Sequence, residues 1–186
     1  MIICVAGATS NVGKTTLVER LLGRLDGPWG VCKVTVCRPE EDHRCPKGKD
    51  DTCGVCSEEL DSFVAETDET VLRQQGKDTR RYYDAGAAEV IWVRSRMECL
   101  AEAVQTARKM MDRHDGIIFE GNHALSVLEP DLAVMAVGSP PKYKASARKV
   151  LDKIDFSGEA SDPVLLERIL EAANRGKPGP GKAAPE

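Results

Sequence analysis

The sequence predicts a three-layer α/β domain, a mostly parallel sheet with helices on both faces, and three observations carry that expectation. Short apolar runs at Ile2–Ala6, Glu89–Val93, Gly116–Glu120 and Leu132–Val137 look like strands buried on both sides. Segments with apolar residues at helical spacing alternate with them. The first run ends in a glycine-bearing loop that leads directly into the first helical segment.

Taken in order, Ile2–Ala6 meets Gly7 as a buried strand meets a turn. After Lys14, the residues Leu17, Val18, Leu21, Leu22 and Leu25 recur with helical period, and Asp26-Gly27-Pro28 supplies a stop. A second strand is expected at Trp29–Cys37. From Arg38 to Ser62 the chain turns polar, charged and cysteine-rich without sustained periodicity, which predicts an inserted loop or knuckle. A helical pattern at Met97–His114 separates the strands at Glu89–Val93 and Gly116–Glu120. Pro163–Asn174, with Val164, Leu165, Ile169 and Leu170, predicts a closing amphipathic helix with proline near its start. Residues 176–186, rich in Gly, Pro and Lys, predict a disordered tail. There is no internal repeat, and 186 residues with 41% hydrophobic content suit one core, so residues 1–175 form a single expected domain with 38–62 as its insertion.

The balance of 26 basic against 30 acidic residues gives a net charge of -4, which argues against a surface devoted to nucleic acid or to anionic membrane. The N-terminus lacks a basic leader before its apolar run, and no stretch approaches the roughly 20 apolar residues of a spanning helix, so a cytoplasmic protein is the default expectation. Seven cysteines are an odd set, and four crowd between Cys37 and Cys56. That pattern suits metal binding or reduced thiols better than paired disulfides.

The segment Gly7-Ala8-Thr9-Ser10-Asn11-Val12-Gly13-Lys14-Thr15-Thr16 carries the strongest chemical signal. Binding a phosphate chain takes several backbone N–H groups aimed into one bowl, a helix N-terminus beneath it, and a cation for the outer phosphates. Asn11, Val12, Gly13, Lys14, Thr15 and Thr16 are the expected nucleotide-binding residues. Gly13 permits close backbone approach, Lys14 reaches the β- and γ-phosphates, the Thr15 hydroxyl is a magnesium ligand, and Thr16 serves the α-phosphate side. The usual pattern has glycine at the place of Ala8, whereas here it stands one residue earlier at Gly7.

Asp115–Gly121 reads as a buried strand that delivers Glu120 to its C-terminal edge, where ligands of open α/β sheets gather. Glu120 is accordingly expected to hold magnesium directly or through water, the alternative being an acid that caps the turn at Gly121-Asn122. His123 beside it reads as structural.

Cys37, Cys45, Cys53 and Cys56 are separated by seven, seven and two residues, with His43 as a fifth potential ligand. Four soft ligands suit zinc or an iron-sulfur cluster, and such binding would order a stretch with no core of its own. Free thiols or a redox pair are the alternatives. Cys4 and Cys32, in strand contexts, and Cys99, at a helix start, read as buried or partly buried small residues.

Together, Lys14-Thr15-Thr16-Leu17, Gly30-Val31-Cys32-Lys33, Gly76-Lys77-Asp78-Thr79, Tyr83-Asp84-Ala85-Gly86-Ala87 and Phe119-Glu120-Gly121 resemble, in order and spacing, the molybdopterin-guanine dinucleotide biosynthesis protein B family of P-loop GTP-binding proteins. The resemblance covers most of the chain. It implies GTP and magnesium as ligands, weak NTPase activity, and a protein partner in the maturation of a molybdenum or tungsten cofactor; a homodimer stays open. It also implies that Asp78 sits near the outer phosphates or the metal, and that Lys33 lies near the C-terminal edge of the second strand. On the residues alone, Asp78 reads equally as the N-cap of a helix and Lys33 as a solvated strand-end charge.

The spacing from Gly7 to Gly13 is more similar to dethiobiotin synthetase and the cobyrinate amidases, which use ATP. No Asn-Lys-x-Asp guanine-reading motif is present, and Gly138-Ser139-Pro140-Pro141-Lys142 offers no clear substitute. The base is therefore GTP or ATP. Lys14, Glu120 and Asp78 are the candidate catalytic residues. The alternatives to an accessory nucleotide-binding protein are an ATP-dependent ligase or kinase, with a small acceptor near Asp78, Arg80 and Arg81, and a nucleotide-switched metal-trafficking protein.

Overall fold

The computed structural model describes residues 1–37 and 62–176. Among them, seven strands form one sheet: β1 (Ile2–Gly7), β2 (Trp29–Val36), β3 (Phe63–Glu66), β4 (Glu89–Ser95), β5 (Gly116–Glu120), β6 (Leu132–Ala136) and β7 (Phe156–Gly158). Their spatial order is β3-β4-β2-β5-β1-β6-β7. Every neighbouring pair is parallel except β3 and β4. The fold is thus α/β with a mostly parallel sheet.

The helices are α1 (Lys14–Leu22), α2 (Glu69–Leu72), α3 (Asp78–Asp84), α4 (Leu100–Met110), α5 (Asn122–Val127), α6 (Ala145–Arg148) and α7 (Pro163–Arg175). Successive residues of a strand point to opposite faces, so a strand covered on both sides is apolar at every position. In β1, Ile3 and Val5 join Leu17, Val18 and Leu21 of α1 and Leu165 and Ile169 of α7 in one core. Cys4 and Ala6 join Ala103, Val104 and Ala107 of α4 and Leu125 of α5 in the other. Two separate cores, one per face, explain why the runs in the sequence do not alternate.

The expected elements appear with shifted ends. The helix after Lys14 stops at Leu22, although the Leu25 N–H still bonds the Leu21 carbonyl at 2.8 Å. The helical pattern at 97–114 is a helix only over Leu100–Met110. Strand β2 ends at Val36, one residue early, yet the Cys37 N–H continues the ladder to the Ser95 carbonyl at 2.8 Å. Strands β3 and β7 and the short helices α2, α5 and α6 were not expected. The cysteine-rich insertion, apart from Ser62, and nearly all of the expected tail lie outside the described residues. Among the described residues, no helix is long and apolar enough to cross a membrane.

The sheet order also locates a ligand edge. The chain leaves β1 toward β2 on one side, whereas it leaves β6 toward β7 on the other. Where connections diverge like this, the C-terminal edge of an open α/β sheet forms a crevice. The loop after β1 lies there.

Candidate functional site

The loop between Gly7 and Lys14 is held by backbone geometry. The Ala8 N–H donates to the Ala136 carbonyl at 2.9 Å, and the Ala8 carbonyl accepts from the Lys144 N–H at 2.8 Å. Asn11 has φ 58° and Gly13 φ 95°, so two turns through left-handed backbone bring the chain into α1. A Cβ on Gly7 would fall 2.8 Å from the Lys14 side chain and 2.9 Å from that of Val12. The absence of a side chain at Gly7 is therefore what lets the Lys14 stem fold back across the end of β1. Helix α1 has no side-chain cap and no acid in its first turn, which leaves an electropositive N-terminus facing the crevice.

Opposite this loop stands Glu120, at the end of β5 and 5% exposed. The Thr15 hydroxyl donates to its Oε2 at 3.4 Å, and Lys14 Nζ lies 4.0 Å from Oε1. Burial pushes the Glu120 carboxyl up from its ordinary value of 4.5; the Lys33 and Lys14 ammoniums and the Thr15 hydrogen bond pull it down, and Asp78 pushes it up. Thr15 is itself buried. A hydroxyl and a carboxylate side by side are hard oxygen donors, the kind magnesium takes while keeping waters and phosphate oxygens as its other ligands. These two residues fit that ion.

Lys33 and Asp78 form an ion pair. Lys33 is not a strand-end charge: three residues of β2 follow it, and it pairs in register with Glu120 on one side and Trp92 on the other. Asp78 is not the N-cap of α3 either; Lys77 holds that position, and Asp78 is the first helical residue, favourably set against the helix dipole. Both lie beside Glu120, whose carboxyl feels both charges. The structure thus brings Lys14, Thr15, Glu120 and Asp78 together, with Lys33 as the link.

Thr16 is engaged by α3. Its hydroxyl accepts from Arg81 Nη2 at 3.2 Å, while the same guanidinium grips Glu19 through Nε at 2.7 Å and Nη2 at 2.6 Å. Arg81 therefore ties α3 to α1. Arg80 instead pairs with Asp84 on an exposed helix face.

Two further residues belong to the site. Asn122 is buried, and its carboxamide holds both backbone polar groups of Gly7, accepting from the N–H at 2.8 Å and donating to the carbonyl at 3.0 Å. The acid-then-glycine turn at Glu120-Gly121 was legible, but its chain neighbour Asn122 was not read as a clamp. Gly121 has φ 141° and runs so close to β2 that a Cβ would meet the Val34 carbonyl oxygen at 2.8 Å. Lys144 is half-buried; burial first, and repulsion from Lys14 second, push its ammonium below the ordinary 10.5, against the pull of Glu120. Nothing in its local sequence sets it apart from other lysines.

Of the cysteines, Cys37 follows β2, whereas Cys45, Cys53 and Cys56, with His43, lie outside the described residues. Among the described residues no group of three or more His, Cys, Asp or Glu gathers as a metal cage. Cys4 and Cys32 are fully buried; desolvation pushes Cys4 up to about 12 and Cys32 higher still, so both are inert thiols. His123 is half-buried at the start of α5. No protein-family model, curated protein or solved structure matches this chain.

Proposed function

We propose that this chain is a P-loop nucleotide-binding protein that holds ATP or GTP with magnesium over the loop Gly7–Thr16. The observation that carries the reading is the convergence of Lys14, Thr15 and Glu120, from two elements far apart in sequence, at an uncapped helix start on the C-terminal sheet edge. In this reading the backbone N–H groups of the loop and of the first turn of α1 cradle the phosphates, and Lys14 neutralises the outer ones. A bound magnesium ion would add Lewis-acid charge neutralisation at the phosphates; Thr15 and Glu120 would hold it. Asn122 keeps the loop's first residue in place.

The chain supplies charge and orientation, and among the described residues no side chain at the site stands out as a base that would activate water. Weak NTPase activity fits that, and the partner protein is what the resemblance of the motifs implies. Together with the resemblance of the motifs, this favours an accessory role in making a molybdenum or tungsten cofactor, the nucleotide acting as the ligand of a protein that assists another enzyme. The alternative of a small-molecule ligase or kinase draws on one observation, the Lys33–Asp78 pair beside Glu120, which would lie next to the outer phosphates. An acceptor that raises nucleotide turnover in stoichiometric product would favour it.

The test is a titration of ATP and GTP side by side, with and without magnesium, for the wild type and Lys14→Ala. Magnesium-dependent binding that Lys14→Ala weakens by tenfold or more is expected, on the scale of about 1.5–3 kcal/mol for a charged hydrogen bond. Unchanged affinity in Lys14→Ala would sink the scheme.

A further inference from the structure

We propose that Arg81 of α3 is a positioning residue of the phosphate site: by donating to the Thr16 hydroxyl, it commits the proton of that hydroxyl to the α-phosphate of a bound nucleotide. This inference rests on the nucleotide reading above. Thr16 is half-buried in the first turn of α1. The first intrahelical bond there runs from the Leu17 N–H to the Gly13 carbonyl at 2.9 Å, so the Thr16 N–H lies ahead of the helical ladder. A threonine hydroxyl has one proton to give and two lone pairs, whereas a guanidinium only donates. Arg81 Nη2 stands 3.2 Å from Thr16 Oγ1, and in that contact the threonine oxygen must accept. Among the described residues the hydroxyl makes no other hydrogen bond. Its proton is left for an acceptor, and a phosphate oxygen is an acceptor with no proton of its own to offer. Beside a neutral neighbour the hydroxyl would have two orientations; the cation removes one of them.

The guanidinium is itself held in one orientation. Glu19 accepts from Nε at 2.7 Å through Oε1 and from Nη2 at 2.6 Å through Oε2, a bidentate grip that fixes the plane of the fork. Glu19 follows Thr16 by three residues, so the two share one face of α1 and meet the same side chain. Helix α3, which delivers Arg81, is fixed in turn. Tyr82 is fully buried, and the Thr79 hydroxyl donates to the Leu72 carbonyl at 2.6 Å. Asp78, three residues before Arg81 and on the same face of α3, pairs with Lys33 beside Glu120. One face of a short helix therefore reaches the phosphate site twice, through Asp78 on the magnesium side and through Arg81 on the side of Thr16.

A brace between α1 and α3, with no bearing on the ligand, is the competing explanation, and a double-mutant cycle read in nucleotide affinity separates the two. ATP, ADP, GTP and GDP are titrated with magnesium into the wild type, Arg81→Ala, Thr16→Val, the double variant and Lys14→Ala. Thr16→Val keeps the shape of the side chain and is expected to lose about tenfold in affinity; Arg81→Ala is expected to lose about threefold to tenfold. In the Thr16→Val background, Arg81→Ala is expected to change affinity by less than about twofold, because the hydroxyl through which it acts is gone. Diphosphates and triphosphates both carry the α-phosphate, so they weaken alike. Arg81→Met, which keeps the apolar stem, repeats the cycle if the unfolding midpoint of Arg81→Ala shows that truncation disturbs the fold. Losses that add in the double variant, or a loss confined to triphosphates, overturn the proposal. A wild type that binds no nucleotide fails the functional reading itself and takes this inference with it. A wild type that binds, with Lys14→Ala impaired and Arg81→Ala unimpaired, leaves that reading standing and removes only the role of Arg81.

Discussion

Asn122 and Gly7, 115 residues apart, are joined by two hydrogen bonds in opposite directions, the carboxamide of one closing on the N–H and carbonyl of the other. The pair sits in the interior, where neither backbone group has water as an alternative partner. Asn122→Ala leaves both Gly7 groups unpaired and is expected to cost about 2–4 kcal/mol of stability. Asn122→Asp keeps the acceptor but loses the donor and buries a charge, so it is expected to be at least as damaging. Urea unfolding of the three proteins measures this; a loss below about 0.5 kcal/mol in Asn122→Ala would show that the clamp is not needed for the fold.

Glu120 gives the protein a pH signature. Its carboxyl is held above the ordinary 4.5, burial being the main cause. A group whose folded value is raised stabilises the fold in its protonated form, so its contribution is fully present below 4.5 and is lost as pH rises through the higher folded value. Glu120→Gln removes this dependence. The difference in unfolding free energy, wild type minus variant, is therefore expected to fall as pH is raised from 4.5 toward neutrality. Parallel pH profiles would contradict it. On the nucleotide reading proposed above, the same substitution is expected to weaken magnesium-dependent binding by about tenfold or more.

Gly13 combines two constraints, φ 95° and an approach of 2.7 Å between its would-be Cβ and the Cβ of Ala160. Gly76 has a similar φ of 83° with nothing within 4 Å. Gly76→Ala is expected to cost about 1 kcal/mol, the backbone component alone, and Gly13→Ala about 2–3 kcal/mol. Ala160→Gly added to Gly13→Ala should recover the steric part. Equal losses in the two single variants, read from denaturant midpoints, would mean that Ala160 yields freely.

The Lys33–Asp78 pair joins the middle of the sheet to the start of α3, with each side chain about a quarter exposed. Partial burial sets its value between that of surface and interior pairs. Lys33→Met and Asp78→Asn are each expected to cost about 1–2 kcal/mol, with a coupling energy of about 1 kcal/mol in a double-mutant cycle. Additive effects would show that the two side chains act separately.

How far the sequence could be read follows from where each signal resides. The runs around Ile3, Ile118 and Val134 were legible because strands buried on both faces are apolar at every position. Strand β3 was not, since Phe63–Glu66 is half-buried at every position and lies antiparallel on the sheet edge, where only the partner β4 defines it. Helix α5, six residues long, is too short to show a period. At the site, Lys14 and Thr15 were legible as part of a contiguous motif, and Glu120 as the acid that ends an apolar strand. Lys33 lies inside β2, with three strand residues after it, and only the sheet order sets it in register with Glu120 of β5. Asp78 read equally as a helix cap; the structure puts Lys77 at that position and brings Lys33, 45 residues away in sequence, to the Asp78 carboxylate.

By itself, then, the sequence determined the alternating α/β pattern and the glycine-bearing loop that joins β1 to α1 over Gly7–Lys14, since both depend on residues within a few positions of each other. Only the tertiary structure decided what surrounds that loop. The strand order put Glu120 and Lys33 side by side, the turn after Gly121 put Asn122 on Gly7, and the segment after β6 put the Lys144 N–H on the Ala8 carbonyl. Each of these contacts joins residues that are distant along the chain, and the free energy that selects them comes from closing two cores around one sheet, which no local pattern records.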